Sequence, residues 1–146
     1  MYDLEKLISI TTYFRATHNW PEASEFAGEQ VQFLENEHRH TFHVEAELSV
    51  NHNDRDVEFF VFQNQVDSVI RDLYTKGPLD FLYRIERRSC EQIACEIIDK
   101  LRETYEYTTN TISVKVSEDK EVAAKVVSRP QGSSDVHQNT NRDPSP

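Results

Sequence analysis

The stretch His38-Arg39-His40-Thr41-Phe42-His43-Val44-Glu45-Ala46-Glu47-Leu48-Ser49-Val50 decides how the rest of the chain is read. From Phe42 onward it alternates. Phe42, Val44, Ala46, Leu48 and Val50 fall on one side, and Thr41, His43, Glu45, Glu47 and Ser49 on the other. Side chains two apart on a strand share a face, so 40–50 reads as a half-buried strand. His38 and His40 are in phase with its apolar row, where an imidazole is unfavourable without a partner. An earlier alternating stretch, 5–18, places Ile8, Ile10, Phe14 and Ala16 on the same side as His18. Three imidazoles from two strands, with a fourth position open, form the donor set of a catalytic zinc. His18, His38 and His40 are the candidate ligands. Ordinary hydrogen-bonded strand histidines are the alternative, which accounts for one such residue better than for three in phase. Imidazole also suits iron and nickel, so the residues alone do not name the metal.

Working outward, Asn19 to Glu37 reads as a long loop carrying Trp20, Pro21 and five glutamates. A connection of that length without structure is uncommon and tends to be functional. After a polar turn at 51–56, Phe62, Val66, Val69, Ile70 and Leu73 recur at helical spacing, which predicts an amphipathic helix to about Tyr74. Gly77-Pro78 ends it. A second helix is expected from Ser89, where Ser89-Cys90-Glu91-Gln92 fits the S-x-x-Q capping box. Its core stripe is Ile93, Ala94, Ile97, Ile98 and Leu101. Two further strands, 111–118 and 121–127, are joined tightly around Asp119-Lys120, and Glu118 falls in phase with Ile112, Val114 and Val116.

The resulting order, β-β-α-α-β-β, is an α+β fold with two helices packed on one face of a four-stranded antiparallel sheet. Such a sheet has open edges, so oligomerisation through them is expected. One domain is expected over 1–127. The segment 128–146 is polar, has no aromatic residue and is expected to be disordered.

Composition narrows the partners. A net charge of -10 argues against a nucleic-acid surface, which needs clustered Lys and Arg. Cys90 and Cys95 stand five apart in one helical pattern, neither a metal knuckle nor a disulfide framework, as suits a reducing cytoplasm. No apolar run approaches the roughly 20 residues of a membrane span, and a soluble, cytoplasmic protein is expected.

Four segments, in order, resemble the 6-pyruvoyltetrahydropterin synthase and 6-carboxytetrahydropterin synthase family. Phe14-Arg15-Ala16-Thr17-His18 is similar to F-x-A-x-H. His38-Arg39-His40-Thr41-Phe42 is similar to H-G-H-N-[YF], with Arg39 in place of the glycine. Ser89-Cys90-Glu91-Gln92-Ile93-Ala94 is similar to the start of the family's second helix, and Val114-Lys115-Val116-Ser117-Glu118 to its pterin-binding strand. The resemblance covers about residues 5–127 and implies the T-fold, whose sheets close into barrels, a hexamer among them, with pockets between subunits. It implies Zn2+ on His18, His38 and His40. Glu118 would anchor a pterin's 2-amino and N3 edge, and Ser89 and Cys90 would touch the ring's other edge.

The activity implied is a zinc-dependent lyase acting on 7,8-dihydroneopterin triphosphate or a related pterin, as in pterin or queuosine biosynthesis. The sequence departs from that pattern at the proton-transfer groups. The cysteine that precedes H-G-H is missing, and Leu79-Asp80-Phe81 keeps the aspartate of the family's L-D-H without its histidine. Asp80, Glu37 and Cys90 are left as catalytic candidates. A helix N-terminus favours thiolate, so a lowered Cys90 pKa is one expectation. The alternative is a catalytically inactive protein that binds a pterin, deazapurine or nucleotide ring.

Overall fold

Thirteen-residue alternation in each of two stretches produces the two long central strands, β1 (Lys6–His18) and β2 (His38–Val50). This computed structural model describes residues 4–77, 79, 81–106 and 109–131. β1 and β2 pair antiparallel over their full length, from Lys6 opposite Val50 to His18 opposite His38. The ladder therefore starts at His38, two residues before the expected 40. The register puts every even-numbered residue of both strands on one face. Ile10, Phe14, Ala16, Phe42, Val44, Ala46 and Leu48 are buried there.

Between the two strands the chain is not structureless, contrary to expectation. It forms a short helix, α1 (Ala23–Ala27), and a 3₁₀ run over Glu29–Glu35. Both are too short to leave a periodic signal in the sequence.

The helix pair covers the apolar face. In α2 (Phe59–Leu73), Phe62, Val66 and Ile70 repeat every four residues and are buried, and the Glu58 carboxylate caps the first turn by accepting from the Val61 N–H at 2.9 Å. α2 packs on β1. Next come two strands that the sequence reading did not anticipate, β3 (Thr75–Lys76) and β4 (Tyr83–Glu86). β4 is only four residues long, with Tyr83 and Ile85 buried between exposed Arg84 and Glu86, and it adds to β1 in parallel. α3 (Cys90–Leu101) follows, with its expected capping box complete. The Ser89 hydroxyl accepts from the Gln92 N–H at 3.2 Å, and the Gln92 side chain accepts from the Ser89 N–H at 2.9 Å.

β5 (Ile112–Glu118) and β6 (Val122–Ser128) complete an antiparallel meander with β2, and α3 packs on both. The sheet is therefore six-stranded, in the order β3-β4-β1-β2-β5-β6, rather than four-stranded. Each large side chain buried in this core, such as Phe42, Phe62 or Ile97, contributes about 1.5–3 kcal/mol by removal from water.

Of the tail expected to be disordered, Ser128 is the last residue of β6, and its hydroxyl and carbonyl accept from the Arg102 guanidinium. Residues 132–146 lie outside the described residues. Among the described residues, no helix is long and apolar enough to cross a membrane.

Candidate metal centre

The ladder between β1 and β2 ends on its histidines. His18 and His38 are direct partners across it, and His40 lies opposite Ala16. All three point to the helix-covered face, beyond the last apolar pair, Phe14 and Phe42. Those two rings stack at 5.4 Å, and Phe42 also presents its plane nearly at right angles to His18 and His40. The apolar row thus forms the floor on which the imidazoles stand. Their ring centroids are 4.6 Å apart for His18 and His38, 4.9 Å for His38 and His40, and 5.2 Å for His18 and His40. One nitrogen from each lies within 4.8 Å of the others.

Each imidazole is oriented through its Nδ1. His18 Nδ1 donates to the Arg88 carbonyl at 3.1 Å, His38 Nδ1 to the Asn36 carbonyl at 2.7 Å, and His40 Nδ1 to the Asp119 carboxylate at 2.6 Å. A carbonyl or an ionised carboxylate can only accept, so each Nδ1 carries a proton, and in the neutral rings each Nε2 carries a lone pair. Those three Nε2 atoms are buried and without a hydrogen-bond partner. A buried acceptor left unpaired is unfavourable by about 1–3 kcal/mol, and three converging on one point fit a metal ion that accepts all three lone pairs. Outer carbonyls and carboxylates on the opposite nitrogen are the usual support of metal-bound histidines. His18 is held below its ordinary pKa chiefly by burial, which favours the neutral form a metal requires.

Glu118, at the end of β5 and opposite Phe42 on the ladder, reaches the same place. Its two carboxylate oxygens lie 3.5 Å from His18 Nε2 and 3.5 Å from His40 Nε2. Asp119 was not foreseen as part of the site. Besides holding His40, it accepts from the Thr41 N–H at 3.0 Å, and its own N–H donates to the Thr41 carbonyl. In the sequence it reads only as a turn residue beside Lys120. The Arg88 and Asn36 carbonyls were equally hidden, because any residue type supplies one.

A cleft of about 720 Å³ opens beside the imidazoles, a size suited to a small molecule. His18, His38 and Glu118 line it from the strand ends, Trp20 and Leu34 come from the β1–β2 connection, and Ser89 and Cys90 come from the start of α3. The expected ring-binding set is therefore brought to one cavity. The catalytic candidates divide. Cys90 is buried in the cleft wall, with its Sγ 4.0 Å from a Glu118 oxygen. Burial, and then the charges of Glu118 and Glu91, push its thiol up to about 12, against the lowered value that the helix N-terminus suggested. Glu37 is exposed and is not among the residues lining the cleft. Asp80 lies outside the described residues. Of the arginines beside the cleft, Arg87 pairs with Glu22 at 2.6 Å, and Arg88 meets Glu96 through one nitrogen at 2.9 and 3.1 Å.

No family model and no curated protein matches the chain. Solved structures do. It is similar to 6-pyruvoyl tetrahydropterin synthase from Plasmodium vivax, with a TM-score of 0.59 and 16% identity over 86% of this chain and 98% of that one. Two variants of that protein, each replacing a catalytic glutamate, match equally. The Caenorhabditis elegans synthase gives a TM-score of 0.58 at 12% identity, covering 84% of this chain and 95% of its own. An uncharacterized protein from Wolinella succinogenes gives 0.58 at 14%, covering 85% and 98%. At these identities the likeness is one of fold, and that fold is the T-fold of the 6-pyruvoyl tetrahydropterin synthases.

Proposed function

We propose that the protein is a zinc-dependent lyase of the 6-pyruvoyltetrahydropterin or 6-carboxytetrahydropterin synthase type. Its substrate is 7,8-dihydroneopterin triphosphate or a related pterin, and its catalytic set is non-standard. The observation that carries this reading is the trio of unpaired, buried Nε2 atoms, two of whose histidines, His18 and His38, line a ligand-sized cleft.

His18, His38 and His40 hold the ion. Bound there, zinc supplies Lewis-acid polarisation of the hydroxyl and carbonyl oxygens on the substrate's side chain. Glu118 accepts two parallel N–H bonds from the pterin's 2-amino and N3 edge, and Ser89 and Cys90 meet the ring's other edge. Trp20 and Leu34 restrict water on the connection side. Cys90, neutral near pH 7, acts as a proton holder rather than a thiolate nucleophile. Glu37 and Asp80 are kept as the sequence's candidates for proton transfer, with Glu37 exposed outside the cleft of a single chain. The protein works in the cytoplasm as a homo-oligomer, a hexamer by the resemblance, with its clefts at subunit boundaries.

A second reading, a pterin or deazapurine binder without turnover, is favoured by one observation. The acidic residues lining the cleft, among those described, are Glu91 and Glu118, and Glu118 is committed to the ring. Anaerobic incubation of zinc-loaded protein with 7,8-dihydroneopterin triphosphate, followed by mass spectrometry, separates the two. A side-chain-cleaved or triphosphate-eliminated pterin that vanishes with His38→Ala is the expected result. Unchanged pterin co-eluting with the protein establishes the binder, and neither turnover nor retention removes pterins from consideration.

A further inference from the structure

We infer that Arg15 and Arg39, on the sheet face that the helices leave uncovered, form a binding site for a phosphate group. Arg39 is the residue that stands in place of the glycine of H-G-H. Strand alternation turns it to the side opposite His38 and His40, so the metal reading gives it no task. Arg15 lies opposite Thr41, and Thr17 lies opposite Arg39. These four residues mark a square on one face, with arginines at one diagonal and threonines at the other. Diagonal neighbours on an antiparallel pair stand about 7–8 Å apart, within reach of long side chains. A groove of about 300 Å³ opens there, lined by Arg15, Arg39 and Thr41, with exposed Phe81 on one flank and His40 and Asp119 on another. It shares no lining residue with the cleft beside the imidazoles.

Charge leads to the same assignment. Arg55, Arg87 and Arg88 each meet a carboxylate. Among the described residues, Arg15 and Arg39 meet none, in a chain of net charge -10. The carboxylate that lines the groove, Asp119, is already engaged, one oxygen by His40 Nδ1 and the other by the Thr41 N–H. Two like charges are thus held on neighbouring strands without a protein anion between them. An arginine fork matches two phosphate oxygens at once, and each threonine hydroxyl can donate one further bond. A phosphate at the centre of the square offsets the repulsion and meets all four side chains. The groove's size suits the phosphate end of a small molecule, either the triphosphate tail of the proposed substrate or a separate phosphate ester.

The test titrates the full chain with inorganic phosphate, followed by phosphorus NMR. Wild-type protein is expected to bind it, and Arg15→Gln and Arg39→Gln, each shown folded by circular dichroism, to bind at least about fivefold more weakly. Arg39→Lys keeps the charge without the fork and is expected to lose roughly two- to threefold. Arg55→Gln removes an equal charge beyond the far end of β2 and is expected to leave binding unchanged. No binding by wild type, or an equal loss in Arg55→Gln, overturns the site. Retention of 7,8-dihydroneopterin triphosphate then names the source of the phosphate. Its loss in Arg39→Gln, with unphosphorylated 7,8-dihydroneopterin still retained, supports the site as the seat of the substrate's tail. Unchanged retention of both, beside weakened phosphate binding, supports it as a site for a separate phosphate ester. The phosphate titration decides the inference whether or not the chain retains a pterin, so its failure and that of the proposed function are read separately.

Discussion

Asp119 holds a backbone conformation that its neighbours do not require of an aspartate. Its φ is 52° and that of Lys120 is 62°, both in the left-handed region that glycine occupies without strain. The carboxylate explains the choice, since one oxygen accepts from His40 and the other from the Thr41 N–H. Strain of this kind persists where a side chain is needed for a task. Asp119→Gly is therefore expected to maintain or raise the melting temperature of the metal-free protein. The same change should weaken zinc binding by about 10–100-fold, the usual effect of losing an outer-shell partner of a metal-bound histidine. Chelator competition and a thermal melt check the two halves; unchanged zinc affinity would return Asp119 to the role of a simple turn residue. The contrast between Asp119 and the histidines shows what a sequence reveals at this scale. His18, His38 and His40 were legible because their two-residue phase set them against an apolar row. Asp119 stands 79 positions from His40, in a turn where aspartate is common, so only the folded chain brings the pair together.

The connection between β1 and β2 is the element whose order matters most to the cleft, because it supplies Trp20 and Leu34 to the wall. The Trp20 N–H donates to the Leu34 carbonyl at 2.7 Å, and Trp20 packs against Phe26 at 5.6 Å. Glu35 fastens the other end, accepting from both the N–H and the hydroxyl of Ser24. Those bonds, the hydroxyl's first, lower the Glu35 pKa below its ordinary 4.5. A depressed carboxylate adds stability that is complete above the unfolded value and is lost as pH falls through the folded one. Amide exchange across 19–37 is therefore expected to be slow and constant above pH about 5, once corrected for intrinsic rates. Below about 4.5 it should rise before the sheet opens, and Ser24→Ala should show fast exchange at every pH. Exchange in 19–37 that tracks the central strands at all pH values would contradict this. The same segment shows why elements were missed. A five-residue helix and a four-residue strand such as β4 complete barely one period, whereas α3 announced itself with a cap and a three-turn stripe.

At the scale of the whole molecule, the central meander was legible because one face is apolar throughout. A one-residue slip would expose the row from Phe14 to Val116, and this fixes both register and face. β3 and β4 were not, because two and four residues are too few to show a period. The opposite edge, β6, which the sequence did announce, carries the last consequence. β6 bonds to β5 on one side alone among the described strands, and it exposes Val122 (62%) and Val127 (41%). An unpaired strand with apolar side chains is a template for a second copy. Val122 and Ala123 also line the cleft beside Glu118, so a chain docked on β6 reaches the proposed ring site. The three histidines and Glu118, in contrast, all come from a single chain. Val127→Lys places a second ammonium two residues from Lys125 on the same strand face, where like charges on neighbouring copies repel. Light scattering coupled to size exclusion is expected to show an oligomer for wild type and a monomer for Val127→Lys. Zinc affinity should be unchanged in the variant and pterin retention reduced at least about tenfold, a loss of about 1.4 kcal/mol in binding. A monomeric wild type would show that the cleft is complete within one chain. A monomeric variant that still retains the ring would show that assembly and recognition are separate properties of this sheet.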